Sequence, residues 1–251
     1  AKSVIHRQVI FMIKGVILAG GKGSRLWPVT KVVGKHFLPV GDKTIIHYPV
    51  LTLKRAGIKD ILIVCGQEHT DQYVKLLGSG KEFGVNLYYT IQVDPLGIAH
   101  GLGLAEPFAG GNPIALILGD NIFGDDLSDA VKKFSKKEKG SMVVLKKVSD
   151  PKRFGVASFN KDGTIKNVKE KPKKPATNWA VTGFYLYDNR VFDIIKTLKP
   201  SARGEYEITD VNNFYIKEGT MDFIKAKKFW VDAGTFDSLH LANLLVRKNK
   251  K

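Results

Sequence analysis

Short β-branched apolar runs alternate with stretches of helical spacing along this chain, and that alternation constrains its fold more than any other feature. Runs at residues 13–19, 61–65, 87–91, 114–118 and 141–145 have the length of buried strands. Between them, residues 45–56, 71–77 and 127–134 carry apolar positions at helical intervals. Strand, helix, strand in that order calls for an α/β architecture, a mostly parallel central sheet with helices on both faces. Beyond residue 150 the texture becomes more meander-like. Strands are predicted at 155–159, 164–168 and 181–187, with turn signals at Lys161-Asp162-Gly163 and at 172–175. Helices at 189–196 and 208–217, a strand at 221–225 and a last helix from 236 to about 246 follow. No Pro/Ser-rich linker separates the two textures, so residues 12–251 are expected to form one domain with halves at 12–149 and 150–251.

Composition narrows the class. With 43% hydrophobic and 25% charged residues in 251, intrinsic disorder is excluded. No apolar run approaches the roughly 18 residues of a membrane span, so no membrane partner is expected. A lone cysteine, Cys65, cannot form an internal disulfide, which makes a reducing cytoplasm the expected compartment. It closes an apolar run, where a small packed hydrophobe fits better than a nucleophile. Residues 1–11 lack the apolar core and cleavage site of a signal peptide and read as a reading-frame extension, with Met12 the natural start. The net charge of +16 points to anionic partners. Its lysine clusters, at 132–139, 166–174, 225–228 and 247–251, have few interleaved aromatics and read as solvated faces. A non-catalytic, basic nucleic-acid binder stays open as a competing class, with salt-sensitive duplex affinity as its mark.

Three glycines in four residues, Gly20, Gly21 and Gly23, leave the first strand. Without Cβ atoms the backbone can approach a ligand, and its N–H groups can converge on phosphate oxygens; a plain tight turn would use the same residues. Two common phosphate loops do not fit. The last glycine of the dinucleotide fingerprint is missing, and no G-x-x-x-x-G-K-[ST] spacing occurs. Arg25 in the loop and Lys35 ten residues on add two separated cations, an arrangement suited to a triphosphate.

The run Leu18-Ala19-Gly20-Gly21-Lys22-Gly23-Ser24-Arg25-Leu26, then Pro28-Val29-Thr30 and Lys35-His36-Phe37-Leu38-Pro39-Val40, resembles the sugar-1-phosphate nucleotidylyltransferases. Leu118-Gly119-Asp120-Asn121, Arg153-Phe154-Gly155-Val156, Glu170-Lys171-Pro172, Val181-Thr182-Gly183-Phe184-Tyr185, the stretch PSARGEYEITD at 200–210 and Trp230-Val231-Asp232-Ala233-Gly234-Thr235 are similar in residues and order to short-form glucose-1-phosphate thymidylyltransferases. The resemblance covers residues 12 to about 242. It implies the Rossmann-like nucleotide-diphospho-sugar transferase fold, with 12–149 as a nucleotide-binding half and 150–251 as a sugar-binding half. It also implies transfer of a nucleotidyl group from dTTP to glucose 1-phosphate, giving dTDP-glucose and pyrophosphate. UTP with glucose 1-phosphate, or GTP with mannose 1-phosphate, would need few altered contacts.

The implied chemistry agrees with the residues. A phosphate monoester near pH 7 carries roughly −1.5 to −2 charge, so the nucleophile needs no general base, and the barrier is anion meeting anion. Arg25, Lys35 and Lys171 are the implied catalytic cations. Leu18, Gly20, Gly21, Gly23, Ser24, Gln92 and Gly97 are the implied nucleotide contacts, with the Gln92 amide suited to the edge of thymine or uracil. Asn121, Gly155, Glu170, Lys171, Val181, Tyr185 and Arg203 are implied for the sugar phosphate. Asp120 and Asp232 each fit a turn or a helix cap, and the resemblance implies that together they hold Mg²⁺. His36 stands where many members carry Gln, Ser24 where Thr is commoner and Phe154 where Tyr is. The six histidines show no metal-ligand spacing and read as structural or exposed. The further helices of long-form members are not matched, which leaves the usual oligomer contacts and regulatory nucleotide site in doubt while still allowing a homo-oligomer. No hexapeptide repeat is present in these 251 residues, so an acyltransferase fusion is not expected.

Overall fold

The computed structural model describes residues 12–249; the reading of residues 1–11 lies outside them. In chain order the elements are β1 (Lys14–Ala19), β2 (Pro39–Val40), β3 (Lys43–Thr44), α1 (His47–Arg55), β4 (Asp60–Gly66), α2 (Thr70–Leu77), β5 (Asn86–Gln92), α3 (Ile98–Gly103), α4 (Glu106–Ala109), β6 (Ile114–Leu118) and β7 (Asn121–Phe123). They continue with α5 (Ser128–Phe134), β8 (Ser141–Lys147), β9 (Gly155–Phe159), β10 (Ile165–Glu170), β11 (Trp179–Tyr187), α6 (Val191–Lys196), α7 (Ile208–Lys217), β12 (Met221–Lys225), β13 (Trp230–Asp232) and α8 (Phe236–Lys248).

Strands β5, β4, β1 and β6 lie side by side and parallel. Helices cover both faces of β4, β1 and β6, so these three read as continuous apolar runs, whereas the edge strand β5 alternates buried and exposed positions. Ile17, Ile63 and Ile117 pack into one core, and Val16, Val64 and Leu116 into the other. From β1 the chain winds out through β4 to β5, then crosses back to β6 on the other side of β1. That reversal opens a crevice at the carboxyl ends of β1 and β6, where open α/β sheets place their ligands. The Gly119 N–H donates to Leu18 O (2.8 Å) across its floor.

β11 runs antiparallel to β6 and carries the sheet into the second half of the chain. Its C-terminal end pairs with β6, its start touches β9 at Ala180 and Val156, and its other edge pairs with β8, which β12 follows in parallel. Both halves therefore share one sheet. A third apolar cluster, including Val40, Ile122, Val231, Ala242 and Val246, seats α8 against the small ribbon of β7 and β13. Thr235 starts that helix with a reciprocal cap: its hydroxyl accepts the Ser238 N–H (3.3 Å), and the Ser238 hydroxyl accepts the Thr235 N–H (3.0 Å).

Three site-forming elements escaped the sequence pattern. The helix α3, Ile-Ala-His-Gly-Leu-Gly, is diluted by two glycines, and β7 and β13 have three residues each, too few to show a period. Cys65 is buried, with Sγ against Thr70 and Thr90, and burial pushes its thiol up, as a packing role requires.

Candidate active site

Two cavities open at the crevice and share Ile98, Leu118 and Asp120. One, of about 240 Å³, is walled by the glycine loop, Lys35, Gln92 and Gly97. The other, of about 180 Å³, is walled by residues of both halves, among them Arg25, Gly155, Glu170, Lys171, Tyr185 and Asp232. Asp120 stands at their junction, two residues beyond β6.

The ribbon brings the two aspartates together. Asp232 on β13 faces Asn121 on β7, and the Ala233 N–H donates to the Asp120 carbonyl (2.9 Å), so both carboxylates enter the same cavity. Lys35 donates to Asp120 Oδ2 at 2.6 Å, and Asn121 Nδ2 donates to Oδ1 at 2.9 Å. Burial opposes ionisation of Asp120, but the Lys35 ammonium and these hydrogen bonds prevail and hold its carboxyl below the usual range. Asp232 moves the other way: burial, then the Asp120 charge, raise it. Asn121 is buried and heavily engaged, its Oδ1 accepting from the Gly183 N–H (3.0 Å) and Trp230 Nε1 (2.6 Å). It lines the cavity mainly as a clamp between β11 and the ribbon.

On the nucleotide side, the loop lies close over the Gln92 amide: a Cβ on Gly20 would stand 2.8 Å from its Oε1 and displace it. Gln92 donates through Nε2 to His100 Nδ1 (3.0 Å), which orients it. Gly97 has φ +105° and presses on Tyr206, whose carbonyl a Cβ would approach to 2.7 Å. Gly23 and Ser24 are not among the residues lining the two shared cavities. Arg25 reaches the second cavity over Gly234, where a Cβ would lie 2.7 Å from its Nη2 and 2.9 Å from Asp232 Oδ1.

On the sugar side, Val181, Gly183 and Tyr185 point the same way along β11 and form one wall. Glu170 Oε2 accepts from Thr209 Oγ1 (2.7 Å). Lys171, with φ +40°, is the one non-glycine residue of positive φ among the described residues. Such a conformation costs about 1–3 kcal/mol and clusters at functional positions. Arg203 is placed differently from the rest: it lines neither shared cavity, and its guanidinium is taken by Glu207 (2.8 and 2.9 Å) and Glu205 (3.0 Å). A glutamate four residues on in the turn before α7 competes for it.

His36 is buried beneath Lys35. Its Nδ1 meets the Tyr73 hydroxyl (2.7 Å), which also lies 3.0 Å from the Ala19 carbonyl, and its Nε2 has no partner among the described residues. Burial, then the Lys35 charge, lower its pKa to about 3. Between the unfolded value of about 6.5 and about 3, the unfolded chain binds the proton and the folded chain does not. Stability therefore falls as pH drops through that window, by about 1.4 kcal/mol per pH unit. His36→Gln is expected to remove that slope, measurable as urea-unfolding free energies at pH 7, 6 and 5. An unchanged slope would show that the imidazole is protonated in the fold.

The family model for nucleotidyl transferases matches residues 14–249. The chain belongs to the nucleotidyl transferase family. Among its curated relatives, a glucose-1-phosphate thymidylyltransferase of Neisseria meningitidis serogroup A is 43% identical over 238 residues, 94% of this chain and 83% of that protein. One of Xanthomonas campestris pv. campestris (strain B100) is 45% identical over 91% of this chain and 79% of its own. A Bacillus anthracis structure assigned as a glucose-1-phosphate thymidylyltransferase, in complex with a sucrose, superposes with a TM-score of 0.90 at 51% identity, covering 94% of this chain and 95% of that one. A UDP-glucose pyrophosphorylase complexed with UDP-glucose gives a TM-score of 0.82 at 26% identity, covering 96% and 100%.

Nucleotidyl transferases generally use a divalent metal. The donor set here fits one: two carboxylates converge on one cavity, and the proximity of Asp120 raises Asp232, a repulsion that a shared cation would relieve. No group of three or more His, Cys, Asp or Glu able to hold a metal occurs among the described residues, so substrate oxygens and water would complete the shell. Sequence reasoning missed His100 and Thr209, which orient Gln92 and Glu170, and Trp230, which packs on Phe154 (5.0 Å between centroids) at the cavity wall. Thr209 and Trp230 lay inside quoted motifs, but nothing in their spacing separated them from packing residues. Among the described residues no helix is long and apolar enough to cross a membrane.

Proposed function

We propose that this nucleotidyl transferase joins dTTP to glucose 1-phosphate, giving dTDP-glucose and pyrophosphate, with Mg²⁺ held by Asp120 and Asp232. The supporting observation is the pair of cavities meeting at Asp120, each with its own cation, Lys35 on one side and Lys171 on the other. The names of the curated relatives support the choice of base and sugar.

In this reading the triphosphate lies along the glycine loop, where the amides of Gly20, Gly21, Gly23 and Ser24 and the side chains of Arg25 and Lys35 neutralise it. Gln92, held by His100, presents its remaining N–H and Oε1 to the base edge above Leu18, beside Gly97. Asn121, Gly155, Val181 and Tyr185 shape the hexose pocket, and Glu170 accepts from its hydroxyls. Lys171 holds the sugar phosphate, and Arg203 approaches it from the turn before α7. Mg²⁺, when bound, would offset phosphate charge. The protein's own part is positioning: Lys35, anchored by Asp120, keeps its ammonium at the junction, so the sugar-phosphate oxygen can meet the α-phosphorus in line with less repulsion.

Pyrophosphate release measured for a matrix of nucleoside triphosphates against hexose 1-phosphates tests the assignment. The pair dTTP and glucose 1-phosphate is expected to show the largest kcat/KM, with UTP second. A maximum for GTP with mannose 1-phosphate would overturn it.

A further inference from the structure

The lysine cluster at residues 166–174 divides in the folded chain. Lys171 lines the catalytic cavity, whereas Lys166 and Lys169 line a separate one of about 630 Å³ on the far side of α7. Lys199 and Lys217 complete its rim. All four lysines are exposed, none is ion-paired among the described residues, and Asp210 is the single acid in the lining. The walls between them are apolar, including Val168, Ile194 and Ile216, and Phe214 is left 41% exposed at the same cavity. Charge of one sign around a low-dielectric concavity focuses the field into it and raises the local concentration of anions. The volume, about 630 Å³, lies within the range of small-molecule sites, roughly 300–1,000 Å³.

The two cavities stand back to back. From α7, Thr209 and Asn212 face the catalytic cavity, while Asp210, Asn213 and Lys217 face the other; from β10, Glu170 faces the first, and Lys166 and Lys169 the second. Asn213 fastens the two elements together, its Oδ1 accepting the Val168 N–H and its Nδ2 donating to the Val168 carbonyl, both at 2.9 Å. We propose that this second cavity is a binding site for a phosphorylated ligand with a flat aromatic body, of the nucleotide class, distinct from the catalytic cavity. Lysines 166, 169, 199 and 217 would hold the phosphates, and Phe214 would stack on the ring. The proposal does not depend on which base or sugar the catalytic cavity takes.

Amide chemical shifts of the full chain, titrated with ADP, test it site by site. Saturable shifts are expected at residues 166–169 and 214–217. Lys166→Glu combined with Lys217→Glu is expected to weaken them at least about tenfold, while Lys166→Arg with Lys217→Arg keeps them. Shifts at the glycine loop, residues 20–23, report the catalytic cavity and should be the same in every variant, which also confirms the fold. Three results would each overturn the proposal: no saturable shift at the second cavity up to about 10 mM ADP, an unchanged isotherm in the charge-reversed protein, or equal shifts from sulfate at matched ionic strength.

Discussion

Replacing Lys35 by alanine is expected to lower kcat/KM for dTDP-glucose formation by about 10²–10³-fold, carried mainly by kcat. The ammonium stands where both cavities meet, 2.6 Å from Asp120, and a positioned charge of this kind is worth about 2.7–4 kcal/mol when it acts on the transition state. The loss has a second source. Without Lys35 the buried Asp120 carboxyl keeps its desolvation and loses its largest compensation, so it protonates more readily and becomes a poorer metal ligand. Lys35→Arg should recover part of the rate, because charge returns with different reach. Steady-state pyrophosphate release checks both variants, and a Lys35→Ala enzyme within threefold of wild type would remove this residue from the mechanism.

Asp188→Ala is expected to be the most destabilising of the substitutions considered, at about 3–5 kcal/mol. Asp188 is buried at the end of β11 and accepts from the Gly140 N–H (2.6 Å), the Arg190 N–H (3.1 Å) and Nε (3.0 Å), and the Tyr215 hydroxyl (2.7 Å). Alanine strands the Tyr215 hydroxyl and the Gly140 N–H in the interior, each an unsatisfied donor, and leaves Arg190 with Glu218 alone. For a chain of this length the melting temperature should fall by about 10 °C. Because Tyr215 anchors α7, which carries Thr209 to Glu170, residual activity should show a raised KM for the sugar phosphate. A melting temperature within 2 °C of wild type, roughly within 1 kcal/mol, would show that the network contributes little.

How far the sequence could be read depends on how far apart the contacting residues lie. The parallel strands β1, β4 and β6 were legible because each is buried on both faces and so is almost wholly apolar. The glycine loop was legible because its backbone takes conformations that favour glycine, with φ +102° at Gly21 and +60° at Gly23. Asp120 and Asp232 could be picked out one at a time, from a strand end and from family resemblance. Their meeting could not, since it runs through two three-residue strands that are more than a hundred positions apart and carry no period. The setting of Arg203 was not legible either: its guanidinium is held by Glu207 and lies 3.8 Å from Glu170 at the catalytic cavity.

By itself the amino-acid sequence determined the class of fold, the order of its strands and helices, and the chemical types gathered for phosphate and sugar, because periodicity and backbone tolerance are local properties. Tertiary structure alone decided that Lys35 pairs with Asp120, that His36 is buried under the loop, and that α7 separates two cavities. Those outcomes depend on desolvation and on distances between remote segments, which no stretch of chain carries within itself.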